Sequence, residues 1–524
     1  GKSVTRARWN FHDCTTHLFV DAFTRQIGEW CGRNGLQFTG HVLEEDTLSS
    51  QTHIVGSCMR HYEHMQAPGM DLLTEHWRIF GTAKQVSSAA HQFGRRWRLT
   101  ETYGCTGWDF SFAGHKALGD WQTALGINLR CQHLAWYTML GEAKRDYPAA
   151  IFYQSPWWDL YPKVEDYFAR ILSVMTRGTE VRDLLVIHPV ESMWTLYRCG
   201  RRQDPENRGY DSMFCKLTDT LLGEHVDFDY GDEELLSRHG RVAVKDGVPV
   251  FSMARARYKA VIVPSLKTMR STTLVLLKKF KAAGGRVVFA GAAPAYVDAV
   301  ASQEAIQFSK GCVTAPAAGK ALADSVASAC RRVSIADAAG REIGAALYLL
   351  REDKDAFYLF LCNTSQDFPA AEQNIMGQDM VRDRKLAFPE VVVSLASPAG
   401  AAPVELEPDS GKVLATDSKS TAQGWQIRTS LPVLGSRLFV FPKSKAFSMP
   451  AEKPLSLNEV RKDTLSDASW DITLSEANAL VLDRPRLRIG AGAWQKEDEI
   501  LRVDRKVRDA LGVPHRGGAM VQPW

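Results

Sequence analysis

The sequence predicts an α/β plus all-β, multidomain protein: the C-terminal part of a (β/α)8 TIM barrel, a doubly wound α/β domain and a β-sandwich. Three observations predict it. Strand and helix patterns alternate through the first 180 residues, uniformly apolar strands alternate with helices from residue 181, and short strands separated by turn residues follow residue 343. At 524 residues the chain exceeds what one hydrophobic core supports, so several domains are expected.

The elements justify this in order. Leu18, Phe19, Ala22, Phe23, Ile27 and Trp30 recur at helical spacing across 13–33, and Gly35 closes that helix. A short strand is expected over 36–43, ending in Glu44, Glu45 and Asp46, with a second helix over 50–65. The next unit is a strand over 67–73 carrying Asp71, then a helix over 81–94. Residues 98–108 read as a strand running into a glycine-bearing loop, with Glu101 at the strand end, where glutamate has poor propensity. A helix over 113–125, a strand within 126–136 and a helix over 163–176 complete four repeats. Four strands cannot close a barrel, so the expectation is a fragment lacking the first half.

From residue 181 the strands 183–188, 258–264 and 285–291 are buried in character and alternate with helices at 210–223 and 271–283. This module contains no GxSxG elbow, GxGxxG loop or phosphate-binding loop, which favours a structural or self-associating role. The expected division is a half barrel at 1–178, the α/β domain at 179–300, a connector at 301–342, the sandwich at 343–450, and a linker with the start of a further β domain at 451–524. A charged helix is expected near 496–511.

Composition narrows the function classes. A formal net charge of +4 spread along the chain gives no nucleic-acid footprint, and no apolar run reaches membrane-spanning length. The 10 cysteines occur singly without a CxxC pair, which favours free thiols and leans toward a reducing, cytoplasmic setting. Residues 1–10 are not a signal peptide, although a missing true start leaves export open.

The strand ends place His41, Glu44, Glu45 and Asp46, then Asp71, then Glu101 with Tyr103 and Trp108, then Gln132, His133, Trp136 and Tyr137 along one rim. Acids and aromatics together suit a sugar: carboxylates supply acid and base, and aromatic faces stack on pyranose rings. Competing readings are plain. Glu44 and Asp46 suit helix caps, Asp71 a turn, and His41 and His133 core positions; His91 and Lys84 read as structural. With no HxH or HExxH spacing zinc is disfavoured, whereas calcium could use Glu44–Asp46 with neighbouring carbonyls.

The segments Phe38-Thr-Gly-His-Val-Leu-Glu-Glu-Asp46, Lys84-Gln-Val-Ser-Ser-Ala-Ala-His-Gln-Phe-Gly94, Leu99-Thr-Glu-Thr-Tyr-Gly104 with Gly107-Trp108, and Gln132-His-Leu-Ala-Trp-Tyr137 with Lys144-Arg-Asp146 carry a family resemblance. Together they resemble α-L-rhamnosidase-like enzymes of glycoside hydrolase family 106, over residues 1–180. The downstream order is similar to the flavodoxin- or amidotransferase-like and sandwich modules of these and some β-galactosidase families. The resemblance implies a TIM barrel, an inverting mechanism with two glutamates, and a calcium ion in characterised rhamnosidases. It places Glu101 at the end of strand seven as general base, or as nucleophile in a retaining relative. The partner acid, at the end of strand four, would precede Gly1, leaving Glu45 on strand five as a fallback acid, or as a substrate or metal contact. The expected reaction is hydrolysis of a terminal glycosyl residue, first rhamnose, from a glycoside or glycan. Alternatives are a β-galactosidase- or glucuronidase-type hydrolase, or a non-catalytic carbohydrate-binding or assembly protein.

Overall fold

The computed structural model describes residues 2–74, 80–107, 110–135, 151–153, 155, 157–200, 204–365, 385–397, 400–454, 460–464, 471, 473, 484–498 and 500–515. A four-stranded parallel sheet carries β1 (Thr39–Gly40), β2 (Ala67–Leu72), β3 (Leu99–Thr102) and β4 (Leu129–Gln132) in that order. The helices Phe80–Phe93, Phe112–Ala124 and Pro162–Met175 follow β2, β3 and β4, so this is the β/α alternation of a half barrel.

Several elements differ in extent from expectation. The first helix runs Lys2–Val20, passes through a π segment at Asp21–Arg25 and continues as Gln26–Arg33. The strand expected over 36–43 is only Thr39–Gly40, because Gly40 at φ +135° turns the chain out of the ladder. The helix expected over 50–65 is two, Leu48–Ile54 and Cys58–Tyr62, separated at Gly56, whose φ is +79°.

A five-stranded parallel sheet packs beside the half barrel, in the order Val313–Ala315, Arg286–Ala290, Ala260–Val263, Leu184–Ile187, Phe228–Gly231. In sequence terms this is the 2-1-3-4-5 order of doubly wound flavodoxin-like sheets, read from the other edge. Residues 301–342 are therefore not a connector: Val313–Ala315 pairs with Val288–Ala290 as an edge strand, and Val333–Asp337 belongs to the sandwich. The helix Phe80–Phe93 is buried between the two units. Lys84 Nζ lies 2.6 Å from Asp227 Oδ1, and His91 Nδ1 lies 2.5 Å from Asp229 Oδ2, so both residues clamp the α/β sheet to the half barrel.

The sandwich stacks a four-stranded sheet on a six-stranded one. Val333, Ile335, Val393 and Ile427 of the first meet Leu359, Leu361 and Phe439 of the second in a core of their own. The six-stranded sheet also recruits Thr179–Glu180, the chain leaving the half barrel, which pairs with Arg351 and Glu352. Beyond residue 453, the helix Ile500–Leu511 is present, and no strand of a further β domain is seen among the described residues. All ten cysteines are free thiols, and no described helix is long and apolar enough to cross a membrane.

Candidate functional site

The C-terminal ends of β1, β2 and β3 converge. Asp71 on β2 is in register with Glu101 on β3, and Glu101 with Cys131 on β4, so these three side chains leave the same face of the sheet. His41 sits just past β1, and the set His41, Asp71 and Glu101 brings one ligating atom each to within 4.8 Å of the others. Gly69 makes this closeness available: a Cβ there would lie 2.5 Å from Gly40 O and 2.9 Å from Leu99 Cβ.

His41 Nε2 donates to Glu101 Oε2 at 3.2 Å, and Nδ1 donates to the Val42 carbonyl at 2.6 Å. A carbonyl only accepts, so Nδ1 carries a hydrogen; Nε2 facing a carboxylate carries the second. The ring is therefore an imidazolium. The Glu101 hydrogen bond raises its pKa to about 9, and the same bond holds Glu101 below the usual carboxylate range. Asp71 moves oppositely. Burial, and then the neighbouring Glu101 charge, push it up to about 6. Its Oδ1 is a buried acceptor with no partner among the described residues. Adjacent carboxyl groups with divergent proton affinities mark a site where one acid stays ionised while the other can hold a proton.

Glu45 is elsewhere. Only 5% exposed, it accepts from the Val42 amide at 3.0 Å, the Tyr62 hydroxyl at 2.9 Å and the Asp71 amide at 3.1 Å. Burial raises its pKa to about 7. A carboxyl enclosed this way props the loop after β1 against β2, and does not reach a substrate as the fallback acid would. Tyr62 was not singled out from the sequence, because a tyrosine within a helical pattern carries no signal of its partner.

Other rim expectations divide. Tyr103 is fully buried: at φ +77° its backbone breaks the strand alternation, and its ring packs on Phe110 and His115 while its hydroxyl donates to the His115 carbonyl. It is a core residue, not a substrate contact. Gln132 pairs in register with Thr102, on the helix side of the sheet, and donates to Glu165 at 2.8 Å. The rim position on β4 belongs to Cys131, which sequence reasoning passed over. His133 is half-buried against the Gly104 loop, near both Asp71 and Glu101. Glu44 is half-buried at φ +57°, and neither it nor Asp46 caps the next helix; Thr47 does, accepting from the Ser50 amide at 3.0 Å. Trp108, Trp136 and Tyr137 lie outside the described residues.

For calcium, the converging group among the described residues is His41, Asp71 and Glu101, not Glu44–Asp46. Two carboxylates and an imidazole fall short of the six to eight oxygens calcium takes, and the imidazolium already neutralises Glu101. These three residues by themselves do not make a calcium shell.

No known family profile matches the chain. A putative β-glucuronidase of Formosa agariphila is 26% identical over 197 residues, 36% of this chain and 16% of that protein. The rhamnosidase of Novosphingobium sp. PP1Y superposes with a TM-score of 0.62 at 16% identity, over 86% of this chain and 41% of that one. The fold is that of glycoside hydrolases. The GH42 β-galactosidase Gan42B gives a TM-score of 0.53 at 10% identity, over 84% of this chain and 68% of that one. The GH42 exo-carrageenase of Bacteroides ovatus gives 0.50 at 10%, over 83% and 56%. The chain thus spans about two-fifths of the rhamnosidase and a sixth of the curated relative.

Proposed function

We propose that this chain forms one wall of a glycoside hydrolase active site, in which Glu101 acts as the ionised carboxylate, general base in an inverting reaction or nucleophile in a retaining one. The observation that carries the proposal is the His41–Glu101 pair on a strand end: it keeps Glu101 charged and oriented at a partly open edge. Asp71 is not its partner acid. Their oxygens approach within 4.8 Å, closer than both the roughly 6.5–9.5 Å of an inverting pair and the about 5–5.5 Å of a retaining one. The two are also register partners on neighbouring strands and stand side by side, whereas an acid and its partner approach a glycosidic bond from different sides. Asp71, half-buried beside Glu101, is placed to accept from a sugar hydroxyl, and His133 completes that wall. The general acid belongs to another part of the site.

The first substrate proposed is a terminal α-L-rhamnoside, in line with the rhamnosidase superposition; the putative β-glucuronidase and Gan42B favour glucuronides and β-galactosides as second readings. The test uses full-length protein and a panel of aryl α-L-rhamnoside, β-D-glucuronide and β-D-galactoside. Glu101→Gln should abolish turnover of whichever substrate is cleaved, with the variant still folded by circular dichroism at the assay temperature. Undiminished turnover overturns the assignment, and glycan binding without hydrolysis of any glycoside favours a non-catalytic carbohydrate-binding protein.

A further inference from the structure

We propose that the arginine-lined cavity at the N-terminal edge of β3 binds a small oxoanionic ligand of the phosphate or sulfate class. The cavity, about 750 Å³, opens between the loop after Phe80–Phe93, the segment 176–183 and the turn at 255–257. Arg98 immediately precedes β3 and Glu101 is its penultimate residue, so this site occupies the strand end opposite the proposed hydrolytic one.

Its walls carry eight arginines against three carboxylates. All three carboxylates are already engaged. Glu180 is shared by Arg98, at 2.6 Å, and Arg351; Asp183 by Arg332, at 2.7 Å, and Lys259, at 3.0 Å; Glu352 pairs with Lys443 at 2.6 Å. Arg182 is satisfied from behind the wall by Asp227 and Asp229, each at 2.9 Å. Arg95, Arg96, Arg255 and Arg257 line the same cavity and form no ion pair among the described residues.

Two of these cations are held at a cost. Arg98 is 2% exposed, and its Nε, like that of Arg95, is buried without an acceptor among the described residues. Burial pushes Arg98 down to about 10 despite Glu180, and burial with the nearby Arg255 charge lowers Arg95. Buried donors without acceptors and like charges pressed together are each unfavourable, and a bound anion relieves both. The guanidinium fork matches the oxygens of phosphate and sulfate, and the volume is that of a small-ligand site.

The test is calorimetric titration of the full chain with inorganic phosphate, pyrophosphate and sulfate at ionic strength fixed with KCl. Saturable binding near one ligand per chain is expected. Arg255→Ala with Arg257→Ala, both exposed, should weaken it by about tenfold or more, while Arg33→Ala with Arg341→Ala should leave it unchanged. Phosphate and sulfate separate by pH, because inorganic phosphate gains its second charge at about pH 7 whereas sulfate is fully charged throughout, so of these two only phosphate affinity should climb from about pH 6 to 8. No saturable binding beyond that of KCl, or equal binding by the Arg255/Arg257 double variant, overturns the proposal. Binding of hexaglutamate with none of the three inorganic anions binding overturns it in favour of an acidic protein partner.

Discussion

His41 Nε2 lies 3.2 Å from Glu101 Oε2, and the histidine's other nitrogen is committed to the Val42 carbonyl. The pair is a salt bridge between a loop residue and a strand-end carboxylate, and it titrates from both sides. The folded pKa of His41, about 9, exceeds its ordinary 6.5. Its contribution to stability is therefore complete below about pH 6.5 and lost as pH rises through about 9. Glu101 is shifted down, so its contribution is present above the ordinary carboxylate range and lost on acidification. Nuclear magnetic resonance titration should find His41 protonated at pH 7.5. The melting temperature of the parent relative to His41→Asn should decline between pH 6.5 and 9; an unchanged difference across that range rules the pair out.

Glu45 adds a second slope of the same sign at lower pH. The unfolded chain releases this proton near 4.5, whereas burial keeps it in the folded chain to about 7. Between those values the folded state binds the extra proton, so stability falls as pH rises and levels off above about 7. Glu45→Gln should remove that slope. It should also cost about 1–3 kcal/mol, because the amide nitrogen facing the Asp71 N–H is a donor where an acceptor stood. Urea titrations of both proteins at pH 5 and 7.5 measure the two effects, and parallel slopes in parent and variant contradict the buried assignment.

Tyr103→Phe separates a core role from a substrate contact. The hydroxyl accepts from Arg130 Nη2 at 2.7 Å and donates to the His115 carbonyl at 3.1 Å, with the ring fully buried. Removing it should lower stability by about 1–2 kcal/mol while KM stays within error of the parent. A raised KM at unchanged stability would return Tyr103 to the binding surface.

Gly69→Ala tests the close approach that brings the three strand ends together. The new methyl would meet Gly40 O at 2.5 Å and Leu99 Cβ at 2.9 Å, and both belong to strands that cannot move independently. A loss of about 1–3 kcal/mol is expected, with a downward shift in the His41 pKa as β1 is pushed from β3. An alanine variant as stable as the parent would show that the strands are more loosely packed.

The half barrel was legible because its physics is local. Apolar residues at helical spacing marked the helix around 81–94, and period-two strands placed Asp71 and Glu101 at strand ends. The parallel register then puts those two side by side, as one-sided alternation requires. The parallel α/β sheet after the half barrel was readable for the same reason: uniformly apolar strands report burial on both faces directly.

Tertiary structure decided what depends on partners distant in the chain. Whether Glu45 lines a site or props a loop turns on Tyr62 and the Asp71 amide, and no pattern near residue 45 encodes either. Tyr103 and Gln132 looked like rim residues because alternation was extended one residue too far; a left-handed backbone at Tyr103 and the outward register of Gln132 sent both to the helix side. Residues 313–315 read as connector because three residues carry too little periodicity to declare a strand, and only pairing with Val288–Ala290 makes them one. Sequence determined which residues sit on strands and helices, since backbone propensity and burial periodicity act over a few residues. The charge state of Glu101, set by a histidine 60 positions away, was decided only when folding closed that distance.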